Sequence, residues 1–256
     1  ERELQQGLHT EEFILHFQPV YRMNPKALSG FEALLRWNHP RRGLVMPGGF
    51  IPLAEETGLI VDIDRWVVAR ACQEIAGWER AIPAARGKFF ISVNASGRSV
   101  SEGDFPAFVV GVAEEAGIDS SSLIIEITEG VLIRNPREIA EHLAQIRRGG
   151  VSIALDDFGA GYSSLQYLNT LPIDKLKIDR SFIQSMLSGD EHQRLVKGML
   201  ALAADLGMET VAEGIETDAE YLWLLEHGAV FGQGFYLGRP ERAGIAMEKL
   251  KTVYGL

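Results

Sequence analysis

FILHFQPVYRMNPKALSGFEALLRW, residues 13–37, holds two apolar runs with only about eight residues, Tyr21 to Leu28, between them. Both runs, FILHFQPV and LSGFEALLRW, are rich in Leu and Phe and read as buried strands. A parallel crossover needs a dozen residues or more, so a connection this short, with Asn24-Pro25 inside it, predicts an antiparallel pair. The first strand is expected to end near Gln18. Six further runs follow: KFFISVN (88–94), SLIIEITE (122–129), VSIALDD (151–157), KLKID (175–179), METVAEG (208–214) and AVFGQG (229–234). Helical patterns are expected near 49–57, 62–80, 104–116, 136–148, 163–169, 189–206, 217–227 and 241–252, with a short helix ahead of the first strand. Strands alternating with helices imply a parallel sheet, and about eight units at this length imply a closed barrel. The predicted fold is α/β, a modified TIM (β/α)8 barrel with the first strand antiparallel to the rest. Its active site belongs at the C-terminal ends of the parallel strands.

At 256 residues and 46% hydrophobic composition the chain can bury its core as one domain spanning 1–256. It begins at Glu1 without methionine and is expected to be excised from a longer multidomain protein. No stretch of 18 apolar residues and no cleavable leader is present. The one cysteine, Cys72, cannot form an internal disulfide and suits a reducing cytoplasm, even if the full-length protein were tethered to a membrane. A net charge of −10 argues against a DNA or RNA polymer as partner, and no membrane contact by this domain is expected. A phosphate ligand remains compatible with that charge where divalent cations stand between ligand and protein.

Each strand-like run carries a polar residue on or near its end: Glu32, Asn94, Glu126, Asp156 with Asp157, Lys177, Glu213 and Gln233. Successive side chains on a strand face opposite ways, so Val151, Ile153 and Leu155 should meet helices while Ser152, Ala154 and Asp156 face inward. The same parity turns inward Asn94 with Ser92, Glu126 with Ile124, Glu213 with Val211, and Lys177 with Lys175 and Asp179. Glu32 shares a face with Gly30, Leu34 and Arg36. Adjacent Asp156 and Asp157 could reach one site if the strand ended between them, with Gly159 and Gly161 marking the turn.

Four carboxylates and an asparagine around one mouth repel unless something positive lies among them. Oxygen ligands select hard cations, Mg2+ or Mn2+, and an acid shared between ions, for which Asp156 is the natural candidate, supports two. Lys177 beside such cations should have a lowered pKa and could help deprotonate an attacking water. Taken singly, an acid at a strand end is usually a helix cap or an ion-pair partner; it is the joint pattern that points to a site. Arg36 fits a surface ion pair as well as a phosphate or guanine contact. Glu129 and Asp179 could hold the site and its loop in place. The six histidines show no metal-binding spacing.

Together the segments FQPVY (17–21), GFEALLRW (30–37), FIPLAEETGLI (50–60), SVNAS (92–96), EITE (126–129), DDFGAGYSSL (156–165), KIDRSF (177–182), VAEGIE (211–216) and GQGFYLGRP (232–240) resemble the EAL-domain cyclic di-GMP phosphodiesterases, in order and over nearly the whole chain. The resemblance implies hydrolysis of cyclic di-GMP to linear pGpG by water attack; relatives with a degenerate site instead bind the dinucleotide without cleaving it. It further implies one metal held by Glu32, Asn94, Glu126 and Asp156, a second held with help from Asp156 and Asp157, and Lys177 and Glu213 completing catalysis, Glu213 also being counted among the metal ligands. Gln18, Leu34, Arg36 and Gln233 match substrate-contacting positions and, with Glu32, Asn94 and Asp179, make the expected substrate-binding set. Glu129 matches the anchor of the DDFG loop. A homodimer and an upstream sensory or diguanylate-cyclase domain are also implied. Ala95 and Ala160 depart from common family residues without removing a ligand.

Overall fold

The structure, a computed structural model, describes residues 1–131, 135–159 and 168–255. Strands β1 (Phe13–Arg22) and β2 (Ala27–His39) pair antiparallel from Phe13 opposite Trp37 to Arg22 opposite Ala27, the sense that the short connection predicts. A third strand, β3 (Gly43–Val45), folds back antiparallel on the end of β2, where the Pro- and Gly-rich stretch 38–49 reads as loop. Then β4 (Phe90–Asn94), β5 (Leu123–Thr128), β6 (Ser152–Phe158), β7 (Lys175–Ile178), β8 (Glu209–Ala212) and β9 (Phe231–Gly232) follow, each parallel to its predecessor, with β4 parallel to β2. Strand β9 returns to β1 antiparallel at Tyr21 and Arg22, which closes the barrel and carries β1 past Gln18, where the apolar pattern places its end. Thus β1 runs against its seven barrel partners. A short β10 (Glu241–Arg242) pairs with the outer part of β1.

The helices packed around the barrel are α1 (Arg2–His9), α2 (Ile51–Thr57), α3 (Ile60–Ala81), α4 (Gly97–Ser101), α5 (Phe105–Ala116), α6 (Pro136–Arg148), α7 (Arg180–Ser185), α8 (Asp190–Asp205), α9 (Asp218–Glu226) and α10 (Ala243–Tyr254). Helices α4 and α7 are too short to show a period in sequence. The helix expected near 163–169 falls largely outside the described residues, as do Ala160, Gly161 and the rest of the DDFG loop to 167. Local signals set the helix starts: Thr217 and Glu220 form a reciprocal capping box on α9, and the Ser96 side chain accepts from Ser99 N to start α4. None of the helices among the described residues is long and apolar enough to cross a membrane.

The main core lies between barrel and helices. Phe17 and Phe31, outward on β1 and β2, place their rings edge-on against Trp78 of α3 at 5.0 and 5.4 Å. Val151, Ile153 and Leu155 are fully buried on the outward face, as their alternation predicts. Each such side chain contributes about 1.5–3 kcal/mol of hydrophobic stabilisation. A second, smaller cluster of Val20, Val211 and Phe231, with Phe90 against it, shares the parity of the polar strand-end residues and plugs the barrel interior beneath them. With apolar side chains on both faces of the lower sheet, the strands' polar residues collect at the upper end.

Candidate active site

Lys177 stands at the centre of that end. Its side chain is almost fully buried, and Nζ lies 2.6 Å from Glu126 Oε2, 2.7 Å from Glu213 Oε1, 3.1 Å from Asp156 Oδ1 and 3.7 Å from Glu32 Oε2. Strands β2, β5 and β6 and the end of β8 thus deliver four acids to the one amine carried by β7. Burial alone would push the Lys177 pKa down, but Glu126, Glu213, Glu32 and Asp156 outweigh it and hold it well above the ordinary value. Burial in turn raises the Glu126 carboxyl, with Lys177 opposing and Glu32 and Asp156 reinforcing the shift. It also raises Glu213 to about 8, against the pull of Lys177 and with the repulsion of Asp156 and Glu32.

Glu32 is fixed from two sides: Asn94 Nδ2 donates to Oε1 at 3.0 Å, and Gln233 Nε2 donates to Oε2 at 2.7 Å. Gln233 also donates to Gln18 Oε1 at 3.2 Å, and Gln18 Nε2 reaches the Gly238 carbonyl at 3.1 Å. The backbone around Gln233 is cramped: a Cβ at Gly234 would sit 2.2 Å from the Ile215 amide nitrogen, so only glycine lets these loops pass.

The strand does not end between Asp156 and Asp157. Strand β6 continues to Phe158, but its register against β7 shifts between Leu155 and Phe158, and Asp157 takes a φ of +55°. A non-glycine residue in the left-handed region is uncommon, and here it turns Asp157 back toward the same mouth as Asp156. The Asp157 amide donates to Asp156 Oδ1 at 2.9 Å. Burial and neighbouring Asp156 and Asp179 raise the Asp157 carboxyl above its ordinary range. Each of Asp156, Asp157 and Glu213 offers a carboxylate oxygen within 4.8 Å of the others, a donor set of hard oxygens that fits a divalent cation such as Mg2+.

A cleft of about 310 Å3 opens beside this cluster, lined by Gln18, Glu32, Leu34, Arg36, Asp156, Lys177, Glu213 and Gln233 from the expected set. Arg36 is buried and donates to the Leu35 carbonyl at 2.8 Å, and burial lowers its pKa despite nearby Glu32. Asn94 and Glu126 join the cluster through Glu32 and Lys177 and do not line the cleft. Asp179 does not line it either: its side chain caps α7, accepting from Ser181 N at 2.9 Å. Glu129 accepts from Gly159 N at 2.9 Å, at the point where the chain enters the DDFG loop.

The cleft also has walls that the strand pattern missed. Arg180, Gln184, Glu216 and Phe235 line it, with Gln184 Nε2 donating to Glu216 Oε1 at 3.0 Å. Phe235 is half exposed and stacks under the Arg239 guanidinium at 4.1 Å. Period-two reading stops at the strand ends, and these residues lie just beyond them. An exposed aromatic inside the glycine-rich GQGFYLGRP is the one signal that could have flagged Phe235.

Comparison with known proteins agrees with this architecture. The family model of the EAL domain matches residues 1–240. The bifunctional diguanylate cyclase/cyclic di-GMP phosphodiesterase MucR of Pseudomonas aeruginosa is 39% identical over 93% of this chain and 34% of its own length. The cyclic di-GMP phosphodiesterase NbdA of the same organism is 36% identical over 94% of this chain and 30% of its own length. A solved structure described as the PaMucR phosphodiesterase in complex with c-di-GMP superposes with a TM-score of 0.90 at 38% identity, covering 96% of this chain and 98% of that one. The chain spans about a third of the length of the curated relatives it matches. A barrel with one reversed strand, an acid-ringed lysine at its mouth and a family match over 240 residues lead to one assignment: the chain belongs to the EAL domain family.

Proposed function

We propose that this chain is a divalent-cation-dependent phosphodiesterase that hydrolyses cyclic di-GMP to linear pGpG by water attack on one phosphodiester. The observation that carries the reading is the convergence of Glu32, Glu126, Asp156 and Glu213 on Lys177 beside a cleft that also presents Arg36. Glu32, Asn94, Glu126 and Asp156 would hold one Mg2+ or Mn2+, and Asp156 and Asp157, with Glu213, a second. Such ions supply positive charge against the phosphodiester oxygens and make water a competent nucleophile at neutral pH.

The chain's own groups do the rest. With the carboxylates committed to cations, Lys177 loses the negative charge that keeps it protonated; burial then favours the neutral amine, which can take a proton from the attacking water. Arg36 faces the phosphate side of the cleft with a fixed guanidinium. The side chains of Gln18, Leu34 and Gln233 line the part of the cleft where the nucleotide would lie, while Asp179 and Glu129 hold the α7 start and the DDFG loop. Assembly as a homodimer, a cytoplasmic location and an attached sensory or diguanylate-cyclase domain complete the proposal; the greater length of the relatives supports the attached domain.

The test is incubation of the purified chain with cyclic di-GMP and Mg2+ or Mn2+, followed by chromatography of the nucleotides. Linear pGpG is the expected product. Binding of the cyclic dinucleotide with no linear product overnight would replace hydrolysis by a receptor function.

A further inference from the structure

Below Lys177, between the site and the apolar plug, the barrel encloses a cavity of about 10 Å3. Phe90 and Val211 form part of its apolar wall, and Ser92, Glu126, Lys175, Lys177 and Gln233 its polar side. Ser92 and Gln233 are 2% and 4% exposed, and Ser92 Oγ and Gln233 Oε1 have no hydrogen-bond partner among the described residues. Buried polar atoms are almost always paired, so two orphans lining one cavity call for a common partner. The volume is about that of one water probe, and two polar atoms are the minimum that retains a buried water.

We propose that this cavity binds a single ordered water joining Ser92 Oγ to Gln233 Oε1, which makes Ser92 a positioning residue for the site above it. Gln233 spends both amide hydrogens on Glu32 Oε2 and Gln18 Oε1. A flipped amide would set its oxygen against the Glu32 carboxylate, so Oε1 must point away from Glu32. Water donating to that oxygen locks the amide in the orientation that steadies both Glu32 and Gln18. Ser92 sits directly opposite Glu32 in the β2–β4 register and anchors the other end of the bridge.

The catalytic part of this inference rests on the proposed function; the water does not. A crystal structure of the unliganded protein at about 1.5 Å should show one density peak within hydrogen-bond distance of Ser92 Oγ and Gln233 Oε1. Ser92→Val fills the cavity with methyl groups and should remove the peak. In the variant, KM for cyclic di-GMP should rise about fivefold, the loss of roughly one hydrogen bond, with kcat little changed and Tm unchanged or higher. Absence of the peak in the wild-type structure overturns the proposal even if the protein proves inactive. A peak together with an unchanged KM in Ser92→Val overturns the positioning role. Lower Tm with unchanged KM does the same, since it marks a purely structural serine.

Discussion

Lys177 is the residue on which the charge balance of the site turns. Four acids surround it, and burial, reinforced by the acids' mutual repulsion, raises the Glu126 and Glu213 carboxyls against the pull of its charge. Lys177→Met keeps the length of the side chain and removes its charge. Turnover should then fall by about 100-fold or more with little change in KM, as expected of a group acting mainly in the transition state. The cation-free protein should lose about 3–5 kcal/mol at pH 8, the usual cost of stripping one partner from a buried ion cluster, and less at pH 6, where the acids can take up protons. Urea denaturation at the two pH values checks this; equal stability of variant and wild type would mean that the acids do not depend on the amine. At this scale most of the site was legible, because Glu32, Asn94, Glu126, Asp156, Lys177 and Gln233 obey strand alternation. Asp157 was legible as a site residue but not in its geometry, since a left-handed φ at a non-glycine residue leaves no trace in the pattern. Arg180 and Phe235 lie past the strand ends, where alternation says nothing.

Two elements hold the site from outside it. Helix α3 buries Asp64, whose Oδ2 accepts from Ser96 N at 2.8 Å and Ser99 Oγ at 2.6 Å and so ties down the turn that follows Asn94. Burial raises the Asp64 pKa from 3.8 to about 6, partly offset by the Ser99 and Ser96 hydrogen bonds. The folded state therefore holds this proton more tightly than the unfolded chain does. Its stabilising contribution is full below about pH 4 and is lost as pH rises through 6, for a total of about 3 kcal/mol. Asp64→Asn keeps an acceptor in place and should delete that slope, which subtraction of variant from wild-type unfolding curves between pH 4 and 7 will read; parallel curves would show an ordinary, unshifted carboxyl. The second element is the DDFG loop, entered through the bond from Gly159 N to Glu129. Glu129→Ala should weaken binding of the Mg2+ or Mn2+ nearest Asp157 several-fold in calorimetry, although Glu129 is no ligand, because a glycine-rich segment depends on few polar anchors. Unchanged metal affinity would reduce Glu129 to a strand-end acid of no consequence. The reversed β1 was legible from loop length alone. Strand β3 was not, because three residues amid prolines and glycines carry no period.

At the scale of the whole molecule, barrel closure turns dispersed acids into one dense negative mouth. Barrel strands separated by long stretches of chain end at the same rim, so residues as distant as Glu32 and Gln233 touch. The chain carries a net charge of −10, and part of that charge is confined where burial has already raised Glu126, Glu213 and Asp157. A cation binding there must displace protons from these acids, and it binds the folded barrel far better than the unfolded chain, in which the ligands are scattered. Mg2+ or Mn2+ at about 100 times its dissociation constant should therefore stabilise the protein by about 2.7 kcal/mol. For a domain of this size that corresponds to a rise in Tm of roughly 5–10 °C. The sign of its pH dependence follows from the raised carboxyls: protons compete strongly at pH 6 and weakly above pH 8, near which Glu213 ionises in the cation-free protein. Melting curves with and without the cation at pH 6, 7 and 8.5 should show a shift that grows with pH and is abolished by chelator. Asp156→Asn, which removes the acid shared between the two proposed ion positions, should lose most of it. A cation shift that is absent, or that shrinks as pH rises, would mean that the ring of acids serves Lys177 alone and holds no ion.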